Sequence, residues 1–158
     1  MFIETFKDER DREAGVEQML HEVSSSVNTL LGQFLQQFHT HAFTYTKETL
    51  IDLVPLLSSE DNYYNLGAVL HYLQRRCKHS EFRNILIENE IGSRMASYIV
   101  AIYIKFNSLK IPCPLDVPWR TLGEAVRIIN AINYQEIIEL CRKSSADEIR
   151  AYIQEERK

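Results

Sequence analysis

The chain has 158 residues, enough for one packed domain with a sizeable core but too few for two full domains. Hydrophobic residues make up 45% of it and charged residues 25%, with only 5 Gly and 4 Pro, which excludes a predominantly disordered chain. Because 22 acidic residues outnumber 18 basic ones, the formal net charge is -4, and no overall positive field attracts the chain to nucleic acid.

The first predicted element is one long N-terminal helix from Val16 to Phe38. Its apolar residues recur every three or four positions and so share one face: Val16, Leu20, Val23, Val27, Leu30, Phe34 and Phe38. This face is wider than the seam of a two-stranded coiled coil and its flanks are uncharged, so we expect it to pack into the core. The alternative is a homodimer that self-associates through Val23, Val27, Leu30 and Phe34.

Two further helices are predicted before residue 78. Thr46 can cap the first of them, and Pro55 is expected to kink or end it. Ser58 and Ser59 precede an acidic first turn, Glu60–Asp61, which suits the positive end of the second helix. The apolar face of this second helix comprises Leu66, Val69, Leu70, Leu73 and Cys77.

The middle of the chain predicts a short helix capped by Ser80 and then a break at Gly92, where a left-handed residue is easiest. A buried apolar helix follows near residues 93–107, because this run is apolar nearly all round. Its β-branched and aromatic residues also permit a strand over residues 95–106. We favour the helix because the neighbouring segments are helical and no partner strand is visible.

Three prolines make residues 109–119 an extended connector between a larger front part and a C-terminal helical tail. In the tail, Thr121 with Glu124 and Ser145 with Glu148 match the capping box, in which a hydroxyl and a carboxylate each satisfy a free backbone donor. The sequence thus predicts an all-α fold, a compact multi-helix bundle of seven or eight helices that forms a single domain over residues 1–158.

Cysteine usage and hydropathy bear on the compartment. The three cysteines are far apart and never paired as C-x-x-C, a pattern typical of free thiols in a reducing environment. The N-terminus lacks the apolar stretch of a secretory signal, and the longest apolar run is shorter than the ~20 residues that span a bilayer. These features favour an intracellular protein, cytoplasmic or nuclear, with no membrane span.

Motifs for phosphate loops, dinucleotide binding, nucleophile elbows and zinc helices are absent from the sequence. His39 and His41 have the spacing of a metal pair on a strand edge, but no Cys, Asp or Glu nearby completes a site. A nucleophilic pair of Cys77 and His79 would need a positioned base and an oxyanion hole. We therefore expect no catalytic residue, no cofactor and no metal.

The densest basic segment holds Arg75, Arg76, Lys78 and Arg83, and aromatic residues lie close by. Basic residues interleaved with aromatic rings can grip a nucleic-acid strand by charge and stacking. The same charges also suit the negative end of a helix, and Glu81 interrupts them. We favour a solvated helix end and keep nucleic-acid binding as the less favoured alternative.

Three aromatic residues are the better candidates for contact with a partner. Tyr63 and Tyr64 fall in the first turn of a predicted helix, and Trp119 follows two prolines, all places where a ring is partly exposed. Tyr and Trp are over-represented at binding hot spots because they combine a large apolar area with a polar group. For Trp119, packing against the core is the alternative. With the basic cluster, these three rings are the predicted partner-binding residues.

Two resemblances agree with a binding role. The segment from Leu66 to Ile102, with its leucine-rich helix, short turn and F-R-x-x-I continuation, resembles an armadillo-type helical unit. The apolar helix, the loop and the run TLGEAVRIINAINYQEIIELCRK are similar in layout to Bcl-2-like helical proteins, although the Asn-Trp-Gly-Arg signature is missing. Both resemblances imply binding of another protein rather than catalysis, and neither assigns a functional residue.

The sequence therefore predicts a non-enzymatic protein-protein interaction domain, an adaptor, inhibitor or regulatory binder that holds a protein partner in a groove between helices. Self-association through the N-terminal helix stays open. One alternative is a Bcl-2-like modulator of signalling or apoptosis proteins, and the other is a nucleic-acid-binding protein that uses residues 75–83.

Overall fold

The computed structural model describes residues 45–59 and 62–156, and in this part of the chain it is all-helical. The described helices are α1 (Lys47–Ser59), α2 (Tyr63–Arg76), α3 (His79–Glu88), α4 (Ser93–Leu109), α5 (Trp119–Ala125), α6 (Tyr134–Lys143) and α7 (Ala146–Glu156). They belong to one compact unit that begins at Tyr45. The predicted helix from Val16 to Phe38, with its self-association residues Val23, Val27, Leu30 and Phe34, lies outside the described residues, and the single domain over residues 1–158 stays a prediction.

Helix α1 begins as the sequence predicts, because the backbone N–H of Thr49 donates to the Thr46 hydroxyl at 3.1 Å. It does not end at Pro55, so the predicted end at this residue is wrong, while the predicted kink stays a prediction. Pro55 is exposed on the helix surface, where its ring meets solvent rather than core, and the helix continues to Ser59. The buried face of α1 comprises Leu50, Leu53, Val54 and Leu57.

Helix α2 lies at the centre of the described unit, packed against α1 on one side and α4 on the other. Asn62 caps it, accepting a hydrogen bond from the Asn65 backbone N–H at 3.1 Å. The helix therefore begins after Glu60–Asp61, and the predicted acidic first turn is wrong. Its fully buried side chains include Leu66, Val69, Leu70 and Leu73.

Helix α3 begins at His79, so Ser80 lies within its first turn and is not the predicted cap. The break after this helix is made by Glu90, whose φ of 57° is left-handed, and not by Gly92, whose φ is -69°. The Glu90 N–H donates to the Ile87 carbonyl at 3.1 Å, and the Ile91 N–H donates to the Leu86 carbonyl at 2.9 Å. This is the Schellman pattern, which usually carries glycine at the left-handed position.

The segment from Ser93 to Leu109 is the helix α4, which confirms the helical prediction against the strand. Its buried face consists of Ala96, Ile99, Ile102, Tyr103 and Phe106. The opposite side is open, since Ile104 is 47% exposed and Arg94 and Ser97 are exposed. The predicted burial on most sides is therefore wrong: one broad face of α4 is buried.

The non-helical connector is shorter than the predicted 109–119, because Leu109 ends α4, Trp119 begins α5 and residues 111–118 are not helical. The predicted capping box of Thr121 and Glu124 does not form, since Thr121 lies inside α5 and is buried. Glu124 instead accepts hydrogen bonds from the Tyr98 hydroxyl and from the Arg150 guanidinium, both at 2.6 Å. This carboxylate thereby ties α5 to α4 and to α7.

The second capping box is confirmed at the start of α7. The Glu148 N–H donates to the Ser145 hydroxyl at 3.2 Å, and the Ser145 N–H donates to the Glu148 carboxylate at 3.0 Å. Helix α5 packs against α4, α6 and α7, which joins the C-terminal helices to the core. Within the described residues, no helix has both the length and the apolar character needed to cross a membrane.

Candidate functional site

The first candidate site is a cleft of about 570 Å³, which we call the tryptophan cleft. It lies where the end of α1, the starts of α2, α4 and α5 and the turn after α3 meet. Its described lining residues are Pro55, Leu57, Ser58, Asn62, Tyr63, Leu66, Glu88, Asn89, Glu90, Ile91, Met95 and Trp119. Several helix ends thus converge on one concave and mainly apolar surface.

Trp119 is half-buried, and its ring is held by contacts on two sides. The Tyr98 ring meets it edge-on, with centroids 5.8 Å apart and planes at 78°. The Arg120 guanidinium lies over the ring, 5.3 Å from its centroid. Both sequence interpretations of Trp119 therefore have a counterpart in the structure: the indole packs against its own domain and also lines the cleft.

Tyr63 is buried, so the expectation of a partly exposed ring is wrong for this residue. Its hydroxyl reaches the connector, where it donates to the carbonyls of Pro114 at 2.9 Å and Val117 at 2.5 Å. Burial and the nearby Cys113 raise the pKa of this phenol well above its ordinary value. Tyr63 thus forms part of the cleft wall and fixes the connector at the same time.

Tyr64 is half-buried on another side of α2 and is not among the residues that line the tryptophan cleft. Its ring packs against the buried Tyr103, with centroids 5.4 Å apart. Burial raises the pKa of Tyr64 to about 12. The two neighbouring tyrosines of the sequence therefore point to different environments.

The charge at the tryptophan cleft is acidic. Glu88 and Glu90 are exposed, and they are the charged residues among the described lining. Neither of them forms a salt bridge within residues 45–59 and 62–156. An apolar cleft with two unpaired carboxylates on its rim suits a ligand that combines apolar and cationic groups.

The four basic residues of the predicted cluster do not line one groove. Arg76 donates to the Tyr45 carbonyl, and together with Lys78 it lines a groove that also contains Glu81 and Glu88. In that groove, Glu81 forms a salt bridge of 3.0 Å with Lys47. The cations there face carboxylates, which weakens a positive field.

The other two members lie apart from the first pair. Arg83 lines a separate groove with His79 and Phe82, whereas Arg75 is exposed and lines neither of these two grooves. A nucleic-acid strand bound along the chain segment would need all four cations on one track. These four basic residues therefore do not share one groove, and nucleic-acid binding through residues 75–83 stays a prediction.

Cys77 has an environment that disfavours the thiolate. Burial and the adjacent Glu81 carboxylate raise the pKa of its thiol, whereas a nucleophilic cysteine needs a lowered one. His79 is exposed at the start of α3. All three cysteines carry free thiols, as predicted.

In the part of the chain that the structure describes, no three His, Cys, Asp or Glu side chains group as metal ligands. His39 and His41 lie outside this part. Comparison with known proteins adds no assignment: no protein family, no curated protein and no solved structure matches the chain.

Sequence reasoning identified Trp119 and Tyr63 of the cleft lining but missed Glu88, Glu90 and Met95. These three residues are dispersed in the sequence, and no motif connects them. The left-handed turn at Glu90 brings the end of α3 beside the start of α4, so their proximity is a result of the fold. The position of Trp119 directly after Pro118 was a local signal for this site.

Proposed function

We propose that this protein is a non-enzymatic interaction domain that holds a segment of a partner protein in the tryptophan cleft. The observation that carries the proposal is the cleft itself, a concave apolar surface built from Trp119, Met95, Ile91 and Leu66. Tryptophan and methionine supply large contact areas, and a ring already fixed by its neighbours loses little entropy on binding.

The size of the cleft supports this class of ligand. About 570 Å³ falls within the ~300–1,000 Å³ that is usual for binding pockets, and it accommodates a few side chains of a helix or loop. Its described lining residues include no His, Cys or Lys, and the carboxylates among them, Glu88 and Glu90, are exposed to solvent. Binding therefore fits these residues better than catalysis.

The charges at the edge of the tryptophan cleft favour some partner segments over others. Glu88 and Glu90 favour a segment that carries Lys or Arg beside its apolar anchors, because opposite charges meet across the edge of the contact. An ion pair at the solvent-exposed edge of an interface increases selectivity and the rate of association more than it increases affinity.

The experiment uses the single tryptophan of the chain as its reporter. Among peptides selected from a random library on the full chain, those that bind the tryptophan cleft are expected to shift the emission of Trp119, because they displace water from its exposed side. Met95→Glu is expected to weaken this binding about tenfold or more, since it places a charge in the apolar wall.

Ile104→Glu is the matched control, because Ile104 lies on the same helix, is 47% exposed and does not line the cleft. Equal loss of binding in both variants, or a selection in which no peptide shifts the tryptophan emission, would refute the proposed site.

Self-association through Val23, Val27, Leu30 and Phe34 is a separate proposal that rests on the sequence pattern of the predicted N-terminal helix. Light scattering of the full chain is expected to give a dimer that Leu30→Glu dissociates. A monomer at every concentration, unaffected by this substitution, would refute it.

A further inference from the structure

The groove that Arg83 lines lies between the end of α2, the helix α3 and the first half of α4. We call it the arginine groove. Its volume is about 680 Å³. Its lining residues are Gln74, Cys77, His79, Phe82, Arg83, Leu86, Ser93, Ala96, Ser97 and Val100. The residues of this groove are distinct from those of the tryptophan cleft.

The floor of the arginine groove is apolar. Leu86 and Ala96 are buried at its base, and Phe82 and Val100 are half-buried beside them. Half-buried apolar side chains around a concavity gain further burial when a ligand covers them, at about 25 cal/mol for each Å² removed from water. The floor therefore favours a ligand with aliphatic or aromatic side chains.

The charge of this groove is opposite to that of the tryptophan cleft. Among its described lining residues, Arg83 is the one Lys or Arg, and none carries a carboxylate. Arg83 has no salt-bridge partner in the described residues, whereas the nearby Lys47 is paired with Glu81. The start of α4 at Ser93 adds the positive end of a helix dipole.

We infer that the arginine groove binds a short acidic segment of a protein that also carries apolar anchors. The anchors would cover Phe82 and Val100, and a carboxylate would accept a bidentate pair of hydrogen bonds from Arg83. A nucleic acid is the weaker candidate, because it is held by several cations and Arg83 is the one Lys or Arg among the described lining residues. This inference is independent of the function proposed for the tryptophan cleft.

The test begins with a random library of displayed peptides of about 12 residues, roughly three helical turns. Peptides are selected on the full chain and then compared for binding to Arg83→Glu. Those that lose about tenfold or more in affinity are expected to be rich in Asp and Glu, with Leu or Phe among them. The same peptides are expected to bind Arg75→Glu unchanged, because Arg75 is exposed and does not line the groove.

Two further variants locate the contact. Ser97→Trp fills the groove from its exposed edge and is expected to block these peptides, while Glu90→Lys changes the tryptophan cleft and is expected to leave them bound. Circular dichroism establishes that each variant is folded as the natural chain is.

Cys77 provides an internal reporter, because its thiol lines the groove. Bound peptide is expected to slow alkylation of Cys77, measured residue by residue by mass spectrometry, and to leave Cys113 and Cys141 unaffected. The inference is overturned if no selected peptide depends on Arg83, if those that do show no excess of acidic residues, or if an oligonucleotide binds through Arg83 and the peptides do not compete with it.

Discussion

Gly67 of α2 and Ile99 of α4 lie so close that a Cβ on Gly67 would be 2.2 Å from the Ile99 carbonyl oxygen. The two helices therefore cross with their backbones almost in contact. No side-chain rotation could relieve a clash with a backbone carbonyl, so the crossing needs glycine. This contact sets the distance between the helices that carry Tyr63 and Met95 into the tryptophan cleft.

The first prediction follows from this crossing. Gly67→Ala is expected to lower the free energy of unfolding by about 1–3 kcal/mol or more, because α2 and α4 must move apart. Urea denaturation measures the change. Gly92→Ala is the control, since a Cβ there meets nothing within 4 Å and the φ of Gly92 is -69°. Equal effects of the two substitutions would contradict the close crossing.

The second prediction concerns the left-handed end of α4. Lys110 has a φ of 57°, and Ile111 donates a Schellman hydrogen bond of 3.2 Å to the Phe106 carbonyl. Lys110→Gly is expected to stabilise the protein by about 0.5–1 kcal/mol, the relief of backbone strain exceeding the entropy that glycine adds to the unfolded chain. Thermal denaturation checks it. Lys110→Ala keeps the backbone strain at this position and should not stabilise the protein. A similar increase in stability from alanine would show that the loss of the lysine charge, and not the relief of strain, is the cause.

The third prediction is a pH dependence that originates at Glu124. The Arg150 guanidinium, and then the Tyr98 hydroxyl, hold the pKa of this carboxyl below its ordinary 4.5. A carboxyl with a lowered pKa stabilises the fold fully above the ordinary value and loses that contribution as the pH falls through the lowered one.

Glu124→Gln is therefore expected to be less stable than the natural chain at pH 7 and to approach it as the pH falls below 4.5. Denaturant midpoints measured across this range test the convergence. A stability difference that stays constant down to pH 3 would show that the charge of Glu124 contributes nothing.

The fourth prediction concerns the bond between Tyr63 and the connector. Tyr63→Phe leaves the Pro114 and Val117 carbonyls without this donor and is expected to cost about 1–2 kcal/mol. Burial raises the pKa of the adjacent Cys113 thiol to about 12. Alkylation of Cys113 is therefore slow while the bonds to Tyr63 hold the connector in place and the thiol stays buried. We expect Tyr63→Phe to speed that alkylation.

Tyr134→Phe serves as the control for Tyr63→Phe. The Tyr134 hydroxyl lies at the surface and has one weak contact of 3.5 Å, with Gln135. Unchanged stability and unchanged Cys113 reactivity in Tyr63→Phe would show that the connector is held by its apolar contacts alone.

Much of the helical fold could be predicted from local pattern. The caps at Thr46 and Ser145 formed as expected, because each bond joins residues three positions apart and needs no other part of the chain. The equally good pattern of Thr121 and Glu124 failed. Glu124 is bound by Tyr98 and Arg150, each 26 positions away, and these partners outweigh a local cap.

Only single residues of the candidate sites could be predicted from the sequence. Trp119 could be singled out because it follows Pro118 in a proline-rich connector, but the burial of Tyr63 depends on carbonyls 51 and 54 positions further along the chain. The basic cluster that is continuous in sequence is divided between grooves, because α2 ends and α3 begins within it.

The amino-acid sequence by itself determined that the described part of this protein is helical and where most of its helices start, because periodic apolar residues and caps act within one or two turns. Only the tertiary structure decided which helix ends meet, and hence that Glu88 and Glu90 lie at the tryptophan cleft and Arg83 at the arginine groove. The physical reason is that a surface between helices takes its charge from residues that are distant in sequence, and their proximity is set by close crossings such as that of Gly67 with Ile99.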